Sequence, residues 1–297
     1  MPRPPSTPKP HVLASSLGNV ENLDAVAKPY AKAIRKVVPS GAVKDLLSGV
    51  WLGHPLHPAL TDVPIGTWFG ASLLDVLGGR AMDPAARRLI GIGIAAALPT
   101  AVSGASDWAD SEIADDEVRR VGVVHASLNI GALTLYGASL AARGSGRRGL
   151  GVALGLAGAS ALVVASHLGG HLAYARGVGV DETAWGERVE DWADACADSD
   201  VREDAMTHAE VAGVDIVVLR RGGQVFALAD RCSHRGGPLH EGELIDGCVQ
   251  CPWHGSRFRV DDGSVAQGLS PYPQPVYEAR VRDGRIEVRT PEWAHQQ

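Results

Sequence analysis

Cysteine is scarce in this chain, and the features of several protein classes are missing. Only four cysteines occur among 297 residues, too few for the disulfide framework of a small secreted protein. There is no excess of positive charge either: the net charge is −6 and the pI is near 6.0, so we expect no nucleic-acid partner. The first residues, Met-Pro-Arg-Pro-Pro, lack an apolar core and a twin-arginine pair. We therefore expect no cleavable export signal.

Charged residues are missing from three long stretches. Residues 89–106, 121–142 and 149–175 contain no Asp, Glu, Lys or Arg. About 20 apolar residues are needed to cross a hydrocarbon core of ~30 Å, so each stretch is a candidate transmembrane helix. A soluble bundle of buried Ala/Leu helices is the alternative, and three uncharged stretches disfavour it. A mean hydropathy near zero hides this apolar half.

A fourth apolar stretch, residues 59–78, is weaker. Asp62 and Asp75 bracket a shorter uncharged run, and Pro64 lies inside it. We interpret the stretch as a span with Asp62 near one interface. The predicted fold of residues 51–178 is therefore an all-α transmembrane bundle of about four helices.

The flanks of this bundle differ in composition. Residues 1–18 are rich in Pro and Ser, so we expect disorder there. Residues 20–50 predict a basic amphipathic helix, which either lies on an anionic membrane surface or packs on the protein. Residues 179–205 are dominated by Asp and Glu and predict an acidic linker.

From residue 206 to residue 297 the pattern changes to short β segments. Glycine-containing hairpin signals separate them, such as Asp262-Gly and Asp283-Gly. We predict a small antiparallel all-β domain. Its predicted strands are 214–219, 225–229, 249–250, 257–260, 276–281 and 286–288.

One motif in this β domain carries metal chemistry. Cys232-Ser-His234 and Cys251-Pro-Trp-His254 form a C-x-H…C-x-x-H pattern. Two thiolates suit an iron that stays ferric, and two neutral imidazoles suit the iron that accepts the electron. A zinc site also uses Cys₂His₂, but zinc fingers place their histidines together after the cysteines. The mixed pairs therefore favour an iron–sulfur cluster over zinc or coincidence.

The residues around both pairs favour tight loops. Gly236, Gly237 and Gly255 allow unusual backbone angles, and Pro238 and Pro252 restrict theirs. Each ligand pair is expected on its own loop, with the cluster held between the two loop tips.

Residues 207–290 resemble a Rieske [2Fe–2S] domain of the ferredoxin-like kind. The matching segments are 226–239, which contains Cys232-Ser-His234-Arg-Gly-Gly-Pro-Leu, and 251–258, Cys-Pro-Trp-His-Gly-Ser-Arg-Phe. The resemblance implies that Cys232 and Cys251 bind one iron and that His234 and His254 bind the other. It also implies His edges exposed for electron exchange.

This chain departs from the Rieske proteins of respiratory complexes. The resemblance implies an extra Cys in each loop of those proteins, where this chain has Gly237 and Trp253. Ser256 matches a hydrogen-bond donor to the cluster, but Phe258 replaces the usual Tyr. Losing a donor leaves the reduced state less stabilised, so we expect a midpoint potential in the lower part of the range of roughly −150 to +300 mV. Cys196 and Cys248 are expected to have no ligand role and lie outside these segments.

Histidines mark the ends of the expected spans. His54 and His57 open the first, His125 opens the third, and His167 and His171 close the fourth. Odd-numbered spans begin on the face where even-numbered spans end, so all five histidines are expected near one membrane face. They are a possible second site for haem b or another metal. The alternative is hydrogen bonding at headgroup level.

The segment His54-Pro-Leu-His57-Pro with four spans resembles an uncharacterised family of bacterial membrane domains, which implies no function.

The distribution of charge indicates on which side of the membrane the cluster domain lies. Basic loops opposite the cluster domain, from Arg80 to Arg88 and from Arg143 to Arg148, place the cluster outside by the positive-inside rule. A basic N-terminal flank and the missing loop disulfide favour the opposite placement. We therefore expect the cluster domain on the cytoplasmic side.

Three functions fit these features. The first is a membrane-anchored electron-transfer protein that passes single electrons between a soluble donor and a membrane partner or cofactor. The second is an oxygenase or oxidoreductase component with a metal or haem site in the membrane domain. That site would have to serve because too few residues follow Val288 for a ring-hydroxylating catalytic domain. The third is a redox sensor. Membrane lipid and redox donor and acceptor proteins are the expected partners.

Overall fold

The computed structural model describes residues 8–292, which divide into two compact units. One unit contains residues 8–39 and 56–178 and is helical, and the other contains residues 40–55 and 179–292 and is mainly β. The predicted fold class, a helical bundle followed by an antiparallel β domain, is confirmed.

Seven α-helices lie in the described residues: α1 (Lys9–Leu17), α2 (Asp24–Val37), α3 (Ala42–Ser48), α4 (Leu56–Leu77), α5 (Asp83–Ser111), α6 (Asp116–Gly144) and α7 (Arg148–Gly170). All but α3 belong to the helical unit. The four long helices each pack on two neighbours: α4 on α5 and α7, and α6 on α5 and α7. Helices α4 and α6 are therefore diagonal partners.

Three helical segments are long and apolar enough to cross a membrane: Gly79–Ser111, Asp116–Gly144 and Arg148–Ala175. Helix α4 is continuous but does not belong to this group. Asp62 and Asp75 interrupt its apolar stretch. The expected bundle of about four helices is present, and three of its four long helices qualify as spans by length and composition among the described residues.

The N-terminal segment is ordered where disorder was expected. Residues 9–17 form α1, and Ala14 is only 1% exposed in a cluster with Trp108 and Val118. Residues 1–7 lie outside the described residues. Burial of this small apolar face accounts for the difference, because it offsets the entropy of ordering the segment. Helix α2 buries Ala27 and Ala31 and packs on α5 and α6, so it packs on the protein.

Two antiparallel sheets form the β unit. A six-stranded sheet has the order β1-β10-β9-β4-β3-β2, and a four-stranded sheet has the order β5-β6-β7-β8. The strands are β1 (Ala193–Ala197), β2 (Met206–Val211), β3 (Val214–Arg221), β4 (Gln224–Ala229), β5 (Glu243–Ile245), β6 (Cys248–Gln250), β7 (Arg257–Arg259), β8 (Val265–Gln267), β9 (Val276–Arg282) and β10 (Arg285–Arg289). All six predicted strands are found, as β3, β4, β6, β7, β9 and β10.

The boundaries of the β unit differ from those predicted. Strand β1 lies inside the expected acidic linker, residues 179–205, and pairs with β10. Val189 and Val201 are buried in the core of the unit, so this stretch is part of the domain. Its acidic residues are exposed or half-buried, as where exposed Asp194 pairs with Arg285. Their charge hides the two buried valines in the sequence pattern.

Candidate metal centre

The four residues of the C-x-H…C-x-x-H pattern converge in the β unit. Cys232 and His234 lie in the loop after β4, and Cys251 and His254 lie in the loop between β6 and β7. Both thiols are buried in the same cluster, close enough for each to shift the pKa of the other. The imidazole ring centres are 5.0 Å apart, with perpendicular planes. Each loop therefore contributes one sulfur and one imidazole to the same place.

Both loops close with the same hydrogen bonds. In the first, the Gly236 N–H donates to the Cys232 carbonyl at 2.8 Å and the Cys232 N–H donates to the Gly237 carbonyl at 2.9 Å. In the second, the Gly255 N–H donates to the Cys251 carbonyl at 3.0 Å, and the Cys251 N–H donates to the Ser256 carbonyl at 2.8 Å. Gly236 and Gly255 have φ of 71° and 77°, left-handed angles that glycine adopts without strain.

The histidine nitrogens are arranged for metal binding. His234 Nδ1 is buried and makes no hydrogen bond within residues 8–292, and His254 Nδ1 is buried as well. Burial lowers the pKa of His234 well below its usual range, which keeps its imidazole neutral. A buried nitrogen without a hydrogen bond is costly unless it binds something else, so the site fits a metal group.

The two thiols have different acidities. Their mutual hydrogen bond lowers the pKa of Cys251 to about 7 and raises the pKa of Cys232 well above its usual value. Burial adds to the rise at Cys232. One of the two is thus already close to a thiolate near neutral pH, and the thiolate is the form that binds metal.

A proline-rich segment after β8 holds the first loop, and its role was not foreseen from the sequence. Gln274 is 1% exposed. Its Nε2 donates to the carbonyls of Ala229 and Arg231, and its Oε1 accepts from the Ser233 N–H. Ser233 Oγ is also 2.9 Å from Ser270 Oγ. A single glutamine far along the chain gives no sequence signal for such contacts.

Gly237 and Trp253 occupy the two positions where respiratory Rieske proteins are expected to have a disulfide. These two residues lie next to each other here. A Cβ added at Gly237 would lie 3.0 Å from the Trp253 ring and 3.0 Å from Cys251 Sγ. Phe258 and Ser256 are both fully buried. Ser256 Oγ accepts a hydrogen bond from the Leu269 N–H at 3.3 Å, which leaves its own hydrogen available to donate.

Helix α3 belongs to the same unit as the cluster loops. Asp45 Oδ1 accepts from the Gly268 N–H at 3.0 Å, next to the proline-rich segment. Lys44 is only 3% exposed, and its charge contributes to lowering the pKa of His234. A positive charge therefore acts on the histidine side of the site.

The structure brings together only two of the five candidate membrane histidines. The ring centres of His57 and His125 are 6.5 Å apart. His171 bonds to Glu117 at 2.7 Å, and exposed His167 lies 3.4 Å from the Pro10 carbonyl. His54 belongs to the other unit. The expected five-histidine site is thus reduced to one pair.

A second histidine cluster, missed by the sequence analysis, lies on the β unit. Ligand atoms of His208, Asp230 and His240 lie within 4.8 Å of one another. Each imidazole is already bonded to a carboxylate: His240 Nδ1 to Asp230 at 2.7 Å and His208 Nε2 to Asp215 at 2.9 Å. These bonds account for the cluster without a metal. Its members come from separate strands and loops, so their spacing gave no signal.

Comparisons with known proteins agree with the two units. Residues 191–280 match the model of the Rieske [2Fe-2S] domain, and residues 53–182 match the model described as a predicted membrane protein (DUF2231). Ferredoxin CarAc of Metapseudomonas resinovorans is 33% identical over 33% of this chain and 92% of its own length.

Two further proteins are similar to the β unit. The anthranilate 1,2-dioxygenase ferredoxin subunit of Burkholderia cepacia is 41% identical over 27% of this chain and 75% of its own length. A solved complex of oxygenase and ferredoxin in carbazole 1,9a-dioxygenase contains a chain 32% identical to this one. That match covers 33% of this chain and 93% of the other, with a TM-score of 0.32.

Proposed function

Because this chain belongs to the Rieske [2Fe–2S] family, we propose that it is a membrane-anchored protein that passes single electrons between a soluble donor and a membrane partner or cofactor. Its iron–sulfur cluster and its electron-transfer role follow from the family. The membrane attachment follows from the DUF2231 match and the three apolar helices. The direction of transfer and the identity of the partners are the proposed part.

The proposed ligands are Cys232 and Cys251 for one iron and His234 and His254 for the other. The observation that carries this assignment is the buried Nδ1 of His234, which makes no hydrogen bond within residues 8–292 and lies in the same place as two paired thiols. When bound, the cluster accepts and donates one electron at a time. The protein's own contribution is to keep the imidazoles neutral, to hold both loops closed and to exclude water from the sulfurs.

Electron exchange is proposed to occur at the histidine side of the site. His234 and His254 are half-buried, whereas both cysteines are buried. Trp253, beside His254, is 48% exposed, and the two ring centres are 6.3 Å apart. Exposed tryptophan is enriched in protein interfaces, so this edge is suited to a redox protein that docks briefly. The Burkholderia cepacia relative is the ferredoxin subunit of anthranilate 1,2-dioxygenase, which supports a protein partner here.

We also propose that the cluster domain faces the cytoplasm. The charge argument for the opposite side is weakened because Arg143 is bonded to Asp75 and Asp83, and Arg148 pairs with Asp83. These arginines are therefore neutralised within the bundle. Gly237 and Trp253 stand where a loop disulfide would form, and a site without a disulfide suits a reducing compartment.

The ligand assignment is tested by iron and acid-labile sulfide analysis of the full chain, purified without oxygen in mild detergent. We expect two irons and two sulfides per chain, and their loss in His234→Ala and Cys251→Ala. Cys196→Ser and Cys248→Ser are matched controls that should retain both. Loss of the cluster in a control but not in a ligand variant would contradict the assignment.

Electron transfer is tested by placing the chain in vesicles and following the visible absorption of the cluster. In vesicles whose cluster domain faces outward, a soluble flavin-dependent ferredoxin reductase added to the outer solution with NADH should reduce the cluster. A lipid-soluble quinone should then reoxidise it. A cluster that neither reagent changes would argue against a role as an electron carrier.

A further inference from the structure

His57 and His125 occupy corresponding positions in two matching helix pairs. His57 Nδ1, at the start of α4, lies 2.9 Å from the Thr100 carbonyl oxygen of α5. His125 Nδ1, in the third turn of α6, lies 2.8 Å from the Ala165 carbonyl oxygen of α7. Both imidazoles are therefore anchored in the same way, each to the backbone of the helix that follows its own.

Glycine lies against each of these rings. A Cβ at Gly104 would be 2.5 Å from the His57 ring, and a Cβ at Gly169 would be 3.0 Å from the His125 ring. Each glycine comes four residues after the carbonyl that anchors the ring. The close approach of ring and helix thus requires the absence of a side chain at both places.

The same repeat continues along α4 and α6. The spacing between the two histidines also separates Trp68 from Tyr136, and Asp75 from Arg143. Trp68 and Tyr136 stack, with ring centres 4.4 Å apart and planes at 14°, and Asp75 and Arg143 form an ion pair. Helices α4 and α6 thus face each other in three layers. The side chains touch in the aromatic and charged layers, whereas in the histidine layer the ring centres are 6.5 Å apart and the ring planes are at 84°.

The hydrogen bonds define which nitrogen of each ring is available. A carbonyl oxygen only accepts, so Nδ1 carries the proton in His57 and His125, and Nε2 carries the lone pair. Asn129 Nδ2 lies 3.2 Å from Nε2 of His125 and donates a hydrogen bond to it, so metal binding at this nitrogen replaces the bond to Asn129. A neutral imidazole whose Nδ1–H is fixed by a carbonyl is the usual state of a metal-binding histidine.

The number and distance of the ligands indicate the kind of metal. Within residues 8–292, no third His, Cys, Asp or Glu completes a metal-binding group with this pair. A bare zinc ion takes three or four protein ligands, whereas haem iron needs only axial ligands. With a metal–nitrogen distance of about 2.0 Å, imidazoles on opposite sides of one metal have ring centres roughly 6–6.5 Å apart. The observed separation fits this arrangement.

We propose that His57 and His125 are the two axial ligands of a haem iron within the helical unit. The site is independent of the cluster ligands, because all of its residues lie in the helical unit. It would make the chain a protein with two one-electron centres.

The test uses the full chain, expressed with added haem precursor and purified in mild detergent. Reduced-minus-oxidised absorption and haem quantification by pyridine haemochromogen are expected to show one low-spin haem per chain. His57→Ala and His125→Ala should each lower the content of low-spin haem at least tenfold. His167→Ala is the matched control, since exposed His167 lies outside the pair, and it should keep the wild-type content.

Loss of haem through misfolding is distinguished by two further measurements. The cluster EPR signal is read in each sample, so failure of the cluster assignment and failure of the haem assignment appear separately. In His125→Gly, added imidazole should restore the low-spin spectrum, which a merely structural role would not produce. A wild-type chain that contains the cluster but no haem overturns the proposal. So does haem that both variants retain, or a non-haem metal that His57→Ala releases.

Discussion

The cluster loops and the histidine pair of the helical unit bring side chains together in different ways. Cys232 and His234 are two residues apart, and hydrogen bonds within their own loop fix them. His57 and His125 meet only because α4 and α6 are diagonal partners in the same bundle. The first kind of site is local and can be read as a motif. The second depends on the packing of whole helices, so a distant substitution can affect it.

This comparison predicts the largest effect for the ion pair at the far end of α4 and α6. Asp75 and Arg143 are both buried, and removal of one partner of a buried pair costs about 3–5 kcal/mol. Asp75→Asn should therefore lower the thermal stability of the helical unit and the yield of monodisperse protein in detergent. The cluster EPR signal should be retained.

The matched control is Asp194→Asn, which removes an exposed ion pair with Arg285 in the β unit. Exposed pairs contribute about 0–1 kcal/mol, so thermal unfolding should change little. Equal losses in the two variants would contradict the distinction between a packing-dependent bundle and a locally determined domain.

The next prediction concerns the left-handed glycines of the cluster loops, where the structure is determined locally. Gly255→Ala places a side chain at φ 77° where no atom lies within 4 Å, so only backbone strain of about 1–2 kcal/mol is expected. Gly236→Ala adds a contact 3.0 Å from the Arg231 guanidinium and should cost more. Denaturation followed by the cluster absorption measures both.

Gly186→Ala is a control for the backbone angle, since it lies outside the ligand loops and has no left-handed φ, although its Cβ would lie 3.2 Å from the Thr183 carbonyl oxygen. A Gly255→Ala protein as stable as the wild type would show that loop closure does not depend on this angle.

Much of the β unit could be predicted because its signals are local. The four residues of the Cys/His motif and the left-handed glycines after each cysteine are adjacent in sequence, and all six predicted strands are present. Strand β1 was missed because its exposed acidic residues resemble a linker, although Val189 and Val201 are buried. Gln274 could not be predicted, since its contacts join segments more than forty residues apart.

The helical unit was predicted in class but not in its internal contacts. Uncharged stretches identify spans by composition, yet they do not say which helices are diagonal. The five-histidine hypothesis came from topology alone and could not separate His57 and His125 from His167 and His171. The repeated spacing of histidine, aromatic ring and charged residue in α4 and α6 was a signal in the sequence. It is weak because each layer changes residue type between the two copies, apart from histidine.

A smaller effect concerns hydrogen bonds to the cluster. Ser256→Ala should lower the midpoint potential by about 40 mV, the equivalent of one hydrogen bond of about 1 kcal/mol for one electron. Phe258→Tyr should raise it by a similar amount if the new hydroxyl reaches the cluster. Redox titration measures both, and exposed Ser199→Ala should leave the potential unchanged. A Ser256→Ala protein with the wild-type potential would show that this hydroxyl does not stabilise the reduced cluster.

The smallest effect tests the charge of α3. A buried positive charge stabilises the reduced, more negative cluster, so Lys44→Gln should lower the potential by a few tens of millivolts, on the order of 1 kcal/mol. Arg282→Gln removes the same charge from an exposed position, where solvent screens it, and should have a much smaller effect. A rise in potential in Lys44→Gln would show that α3 acts on the site in another way.

An EPR-monitored redox titration of the full chain, in membranes and without oxygen, tests the central claim most directly. The account predicts the rhombic signal typical of mixed Cys/His ligation, appearing on one-electron reduction with a midpoint in the lower part of the range of roughly −150 to +300 mV. The signal should be absent in His234→Ala. A signal of the all-cysteine type, a midpoint above about +200 mV, or no signal in the wild-type chain would contradict it.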